Sequence, residues 1–243
     1  MLVINKKRIK FITLILIFSI SIYLIDGMTI KEKETVEVTS TPTSNKVIIV
    51  DAGHGTPDEG AESKNGTTEA EINLKIALKL QNLLEQNGST VLLTRSDSNA
   101  IYDLDSKTLK QKKVSDIRNR VEIANENHAD LFVSIHLNKI SQSQYYGWQC
   151  FYNTKNENSK ILAESMQESL NDTIQKENNR KAMKLDTVYI MKKVEIPISI
   201  VECGFLSNEK ESQLLADSKY QDKIAWAIYV GIQKYLAGIA ENN

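Results

Sequence analysis

Three predominantly apolar runs, VIIVDA, DLFVSIHL and ISIVECGF, recur along this chain with long stretches of helical character between them. No other feature restricts its fold as much. A strand with apolar residues on both of its faces has both covered, the condition of a strand inside a parallel sheet with helices on either side. The spacers agree. EAEINLKIALKLQNLLEQNG reads as a helix closed by Gly88, and helices are expected over 114–128, over 157–176 and from Asp217 to near Leu236. Ile72, Leu74, Ile76, Leu78 and Leu80 alternate as in a strand, but the length, the lysines and Gly88 favour a helix. STVLLTR, GWQCFYN and TVYIM read as shorter strands. The expected fold is α/β: a single domain with a largely parallel central sheet of about six strands, flanked by helices.

The chain is not all domain. Lys6, Lys7, Arg8 and Lys10 precede FITLILIFSISIYLI, Phe11 to Ile25, and Asp26 ends the run. A basic stub before a short apolar core is a secretory signal pattern. The run falls short of the roughly 20 residues of a spanning helix, yet no A-x-A cleavage site follows it. Residues 1–25 are therefore expected to be a signal peptide or a signal-anchor, with both readings open. Either way the remainder is exported, and the membrane is a partner only if the segment is retained. Residues 26–45, rich in Lys, Glu, Thr and Ser, read as a flexible linker, and residues 46–243 as the catalytic domain. The formal net charge of -1 gives no basic field, which excludes nucleic acid as a partner. Cys150 and Cys203 fit no metal spacing and no disulfide framework; both lie in strand-like apolar runs and read as buried small hydrophobes.

Chemistry is expected at the carboxyl ends of the strands, where sites in such sheets gather. His54 follows the first run, His136 ends the third strand, and Glu202 ends ISIVE. Glu69 lies on the apolar stripe that Ile72, Ile76, Leu80 and Leu83 define on the first helix, whereas Glu71 points the opposite way. A carboxylate on an inward stripe is costly unless it is paired or bound to a cation; the competing reading is a capping carboxylate in the first turn. Two histidines and a carboxylate form a catalytic zinc set with an open position for water. One more carboxylate outside the metal shell supplies the general base of a hydrolase. The glycines around His54 let the backbone bend and leave room beside the imidazole. His128, in NENHAD, reads as a surface histidine at a helix C-terminus.

The stretches VIIVDAGHG, EAEINLKIALKL, VLLTR, RVEIANENHADLFVSIHLN, IPISIVECGFLSN and YQDKIAWAIYVGIQKYL, taken in this order over Lys46 to Leu236, resemble the zinc-dependent N-acetylmuramoyl-L-alanine amidases of the amidase 3 type. The resemblance implies that His54, Glu69 and His136 hold Zn2+ and that Glu202 is the catalytic acid/base. It implies supporting roles for Arg120, Asn125 and Asn138. The implied reaction is cleavage of the amide between N-acetylmuramic acid and L-alanine in peptidoglycan. Thr56 stands where the family commonly has another glycine. The loop TPDEGAESKNGTT carries no extra regulatory helix, and 137–149 has no room for an autoinhibitory insertion. A lone catalytic domain behind a membrane-targeting stub looks most like the spore-cortex and germination-type enzymes, which implies stem-peptide removal toward muramic lactam and a place in the cell envelope, including that of the forespore. With no wall-binding module, an exported or membrane-tethered accessory protein is expected, which localises the enzyme or helps it hold zinc. Two alternatives remain at this stage: a zinc peptidase cutting within the stem peptide, and an exported wall-binding module with a degenerate site.

Overall fold

Successive side chains of the first strand, β1 (Val47–Ala52), enter different cores: Ile48, Val50 and Ala52 pack on one side of the sheet and Ile49 on the other. This period of two, applied to a run with apolar residues on both faces, requires a covering layer on each face. The computed structural model, which describes residues 10–11, 13–16, 18–20, 41–174 and 177–241, supplies both layers. After β1 come α1 (Glu69–Gln86), β2 (Thr90–Leu93), α2 (Leu109–Glu126), β3 (Leu131–Asn138) and β4 (Gln149–Tyr152). There follow α3 (Glu157–Ile174), β5 (Met183–Lys184), α4 (Tyr189–Lys193), β6 (Ile198–Phe205), α5 (Glu209–Ala216) and α6 (Ser218–Glu241).

The six strands lie in the order β2-β1-β3-β6-β4-β5. All pairings are parallel except β4 with β6, so the expected largely parallel α/β sheet is present. The larger core joins α1, α3 and α6 to one face through Ile72, Ile76, Leu80, Leu162, Met166, Ile224 and Ile228. The smaller joins α2 and α4 to the other through Val121, Ala124, Phe132, Ile190, Met191 and Val194. Each fully buried aliphatic side chain contributes about 1.5–3 kcal/mol relative to exposure. Among the described residues, no helix is long and apolar enough to cross a membrane.

Local signals set the ends. Thr68 caps α1 by accepting from the Glu71 amide, and Gly88, at φ 84°, turns the chain just after the helix. Thr108 and Gln111 form a reciprocal capping box that starts α2 five residues before the expected 114. Leu84, rather than Leu83, completes the buried stripe of α1.

TVYIM is not a strand. Residues 189–193 form the short helix α4, because Ile190, Met191 and Val194 sit at helical spacing over the second core. The edge strand there is Met183–Lys184 instead. A separate helix, α5, precedes the tail helix, divided from it at Asp217. Ordered packing also reaches upstream of Lys46. Thr43 is fully buried, and its carbonyl accepts from Ser89 Oγ while Thr41 Oγ1 donates to the Asn87 carbonyl. Of the linker, 26–40 lies outside the described residues, as do Ile12, Ile17 and 21–25 of the apolar segment. Cys150 and Cys203 are buried free thiols.

Candidate metal centre and its cleft

The register of the sheet builds the site. β1 and β3 run side by side, with Ala52 opposite Ile135, so His54 and His136 emerge together just beyond. β3 and β6 place His136 directly opposite Glu202. α1 then begins with Glu69 over the same strand ends. Four residues from separate parts of the chain meet at one end of the sheet.

Both imidazoles turn a nitrogen to one carboxylate oxygen. Glu69 Oε1 lies 3.0 Å from His136 Nδ1 and 3.3 Å from His54 Nε2. The ligand atoms of these three residues lie within 4.8 Å of one another. Glu69 is only 4% exposed and is fixed by two amides, Leu137 N–H to Oε1 at 3.0 Å and Ala61 N–H to Oε2 at 2.9 Å. It is thus an inward carboxylate and not a cap; Thr68 caps α1. Burial disfavours the Glu69 carboxylate, but the two histidines outweigh it and hold its pKa well below the usual range. Burial likewise works against a charged His54, and Glu69 and Asp58 reverse the balance and raise it. Two imidazoles and one anionic oxygen with converging lone pairs suit a metal ion, so the donor set fits one.

Two glycines make this approach possible. A Cβ on Gly53 would stand 2.3 Å from His136 Cε1 and Nε2, inside the ring's van der Waals surface. Gly60, at φ 68°, carries the loop past Glu69 Oε2 and His54 Cδ2, which a Cβ would approach to 2.6 Å and 2.8 Å. His54 itself has φ 62°, a left-handed conformation unusual for a side chain of its size.

That backbone is held from behind. Arg120 donates to the carbonyls of Ala52 at 2.8 Å and His54 at 2.7 Å. Arg95 takes Ala52 at 2.8 Å, Gly53 at 3.1 Å and Ala70 at 2.7 Å, and Asn73 adds a bond to Gly53 at 3.2 Å. Buried Asp51 pairs with Arg120 and accepts from Thr94 Oγ1 at 2.6 Å and Ser134 Oγ at 2.5 Å. Asp116, one turn before Arg120 on α2, completes the pairing at 2.8 Å. Burial opposes ionisation of Asp51, but the Arg120 charge and the two hydroxyls keep its pKa below the usual carboxylate value. Burial and the Arg120 charge bring Arg95 down to about 10.

Glu202 is treated differently. Its Oε2 is buried and has no hydrogen-bond partner among the described residues. Burial pushes its carboxyl above the usual range; the two histidines oppose this and Glu69 adds to it. It lines a cleft of 210 Å³ together with His54 and His136. Ile117, Leu185, Val188, Ile190 and Ile200 also line this cleft, with Lys113 and Asp58 among its charged residues.

The sequence-expected His54, Glu69, His136 and Glu202 therefore come together. Arg120 supports the site as expected. Asn125 does not reach it: its side chain donates to the Lys193 carbonyl and accepts from the Glu195 amide, tying α2 to the segment after α4. Asn138 ends β3, its carbonyl accepting from the Leu206 amide. Glu71 is exposed and pairs with Lys75. Sequence reasoning missed Asp51, Asp58, Arg95 and Asp116. Only Asp58 carried a local signal, a carboxylate four positions after His54; its Oδ2 lies 3.1 Å from His54 Nδ1.

Comparison with known proteins agrees with this geometry. Residues 48–234 match the family described as N-acetylmuramoyl-L-alanine amidase. The germination-specific N-acetylmuramoyl-L-alanine amidase of Bacillus subtilis (strain 168) is 34% identical over 230 residues, 95% of this chain and 96% of that protein. The structure of the CwlD amidase from Clostridioides difficile in complex with the GerS lipoprotein is similar at 50% identity and TM-score 0.78, covering 80% of this chain and all of that one (100%). An N-acetylmuramoyl-L-alanine amidase from Clostridium difficile 630 is 30% identical at TM-score 0.69, covering 80% of this chain and 98% of that one.

Proposed function

Since this chain belongs to the amidase 3 family of N-acetylmuramoyl-L-alanine amidases, we propose that it hydrolyses its peptidoglycan amide with zinc held by His54, Glu69 and His136 and with Glu202 as acid/base. The observation that carries this reading is the register of β3 and β6, which sets an unpartnered carboxylate beside three converging donors. The His₂-carboxylate set with an open side is typical of zinc hydrolases.

Zinc bound there supplies a polarised water and neutralises charge growing on the amide oxygen. Glu202 takes one proton from the attacking water at its free carboxylate oxygen. Water oxygen adds to the lactyl carbonyl carbon, and the C–N bond then breaks. Glu202 returns the proton to the L-alanine nitrogen, which leaves as an amine while the lactyl group becomes a carboxylic acid. Burial favours the neutral form of Glu202, which suits its carboxylate to take up that proton. The apolar side of the cleft, Leu185, Val188 and Ile200, suits the methyl groups on either side of the scissile amide.

The likeness to a germination-specific amidase supports a substrate in spore cortex, with stem-peptide removal toward muramic lactam. The likeness to an amidase seen with a lipoprotein supports a membrane-tethered accessory partner for this chain as well. The basic and apolar N-terminal segment supports export to the envelope.

The test is digestion of cortex peptidoglycan with wild-type protein and Glu202→Gln, with products identified by mass spectrometry and metal measured by elemental analysis. Stem peptides beginning at L-alanine, lost in the variant while zinc is kept, are expected. Cleavage within the peptide would establish a peptidase instead. Turnover unchanged in Glu202→Gln would remove Glu202 from the chemistry.

A further inference from the structure

The Asp58 carboxylate stands between two groups from different parts of the fold. Its Oδ2 lies 3.1 Å from His54 Nδ1, and its Oδ1 lies 2.8 Å from Lys113 Nζ on α2 and 3.3 Å from the Gly60 amide. The Asp58 backbone is also locked. Its carbonyl accepts from the Gly55 amide at 2.9 Å, and its own amide donates to the Gly55 carbonyl at 2.8 Å. The loop and α2 therefore fix this carboxylate jointly.

An imidazole has two nitrogens, and the hydrogen bond at one decides what the other does. An ionised carboxylate only accepts, so Asp58 selects the His54 form with its proton on Nδ1. The lone pair then sits on Nε2, the nitrogen that faces Glu69 Oε1 at 3.3 Å. His54 needs such help more than His136 does. It stands on a loop, at φ 62°, beyond the end of β1, whereas His136 lies within β3 with its ring against Gly53.

We propose that Asp58, gripped by Lys113, is a positioning residue for the metal centre, holding the His54 ring so that Nε2 is presented to the ion. This rests on the metal-site reading above. A carboxylate behind a ligand histidine fixes the ring and strengthens its donor atom, and loss of such a partner costs about 10–100-fold in metal affinity.

The experiment measures zinc affinity of the full chain by competition with a chelating dye, for wild type, Asp58→Ala, Asp58→Asn and Lys113→Met. Each metal-free protein is also melted. Asp58→Ala is expected to lose about 10–100-fold in zinc affinity with little change in metal-free melting. Asp58→Asn has a single acceptor oxygen, which can serve the Gly60 amide or His54 Nδ1 but not both, and it should lose affinity by less than Asp58→Ala. Lys113→Met removes a half-exposed pair and should lose no more than about fivefold. If Asp58→Ala unfolds, Asp58→Asn decides, because it keeps the backbone bonds to Gly55 while removing the charge and one of the two acceptor oxygens. Wild-type affinity in both Asp58 variants would overturn the inference and leave Asp58 a turn residue. Failure of the wild-type protein to bind zinc would instead overturn the metal reading beneath it.

Discussion

At the exit of β1, the carbonyls of Ala52, Gly53 and His54 accept hydrogen bonds from Arg95, Arg120 and Asn73, and Asp51 pairs with Arg120 just beneath them. At the exit of β6, Glu202 presents an oxygen that meets no donor among the described residues. The two exits lie two strand spacings apart in one sheet, with β3 between them, and share one cleft. The difference matches the roles proposed for the two exits, metal ligand and acid/base. A ligand must keep one geometry, so its backbone is held by charged, desolvated donors that tolerate little movement. A group that takes up and gives back a proton must remain able to change charge, and a ring of fixed donors would hold it permanently ionised.

Substitutions can break this contrast or sharpen it. Glu202→Gln should have the largest effect. Turnover should fall by about 10²–10⁴-fold, the usual share of a general acid/base, while metal content stays at the wild-type level. Product release and elemental analysis read the two separately; loss of metal would show that the two exits are not independent.

Arg120→Met comes next. It leaves Asp51 and Asp116 without their shared cation, and breaking a buried pair in this way costs about 3–5 kcal/mol. Denaturant unfolding should show that loss, and metal affinity should fall with it because the His54 carbonyl also loses its donor.

Gly53→Ala probes the same exit by size alone. The added methyl meets the His136 ring, and overpacking of this kind costs about 1–3 kcal/mol. Here the metal affinity should drop more than the stability of the metal-free protein, because the ring is the part that can move aside.

Acid gives a gentler test. Asp51 has a lowered folded pKa, so its contribution to stability is complete above its unfolded value of about 3.9 and is lost as pH falls through the lower folded value. Comparing wild type with Asp51→Asn by thermal melting, the gap should be constant near neutrality and close only in strong acid. Smallest of all is Glu71→Gln on the outer face of α1. It removes one exposed pair with Lys75 and should change stability by less than about 0.5 kcal/mol.

How far the sequence could be read follows from the range of each interaction. The central strands β1, β3 and β6 were legible because each is a predominantly apolar run. His54, His136 and Glu202 were legible because each ends one. Glu69 stood out as a carboxylate on an apolar stripe. The α4 helix was misread because five residues span little more than one turn, too few for an apolar stripe to repeat. The α5 helix was missed because only one side of a short, polar segment is buried. Arg95 with Ala52 and Arg120 with Asp51 meet across 43 and 69 positions, and no local pattern announces such a meeting. Asn125 sits in the same RVEIAN element as Arg120 and was expected to share its role. Five residues advance a helix by well over one turn, so the two side chains leave α2 in different directions and at different heights.

The resting of the His136 ring on Gly53 also bears on how the chain reaches its native state. Gly53 and His136 face each other only when β1 and β3 are paired in register, and Asp51 and Ser134, bonded across that pairing, are 83 positions apart. Closing such long loops is the slow part of folding a parallel sheet. On the proposed reading, the ligand set is complete only once β1 and β3 are paired in register, so capture of an ion would report that pairing.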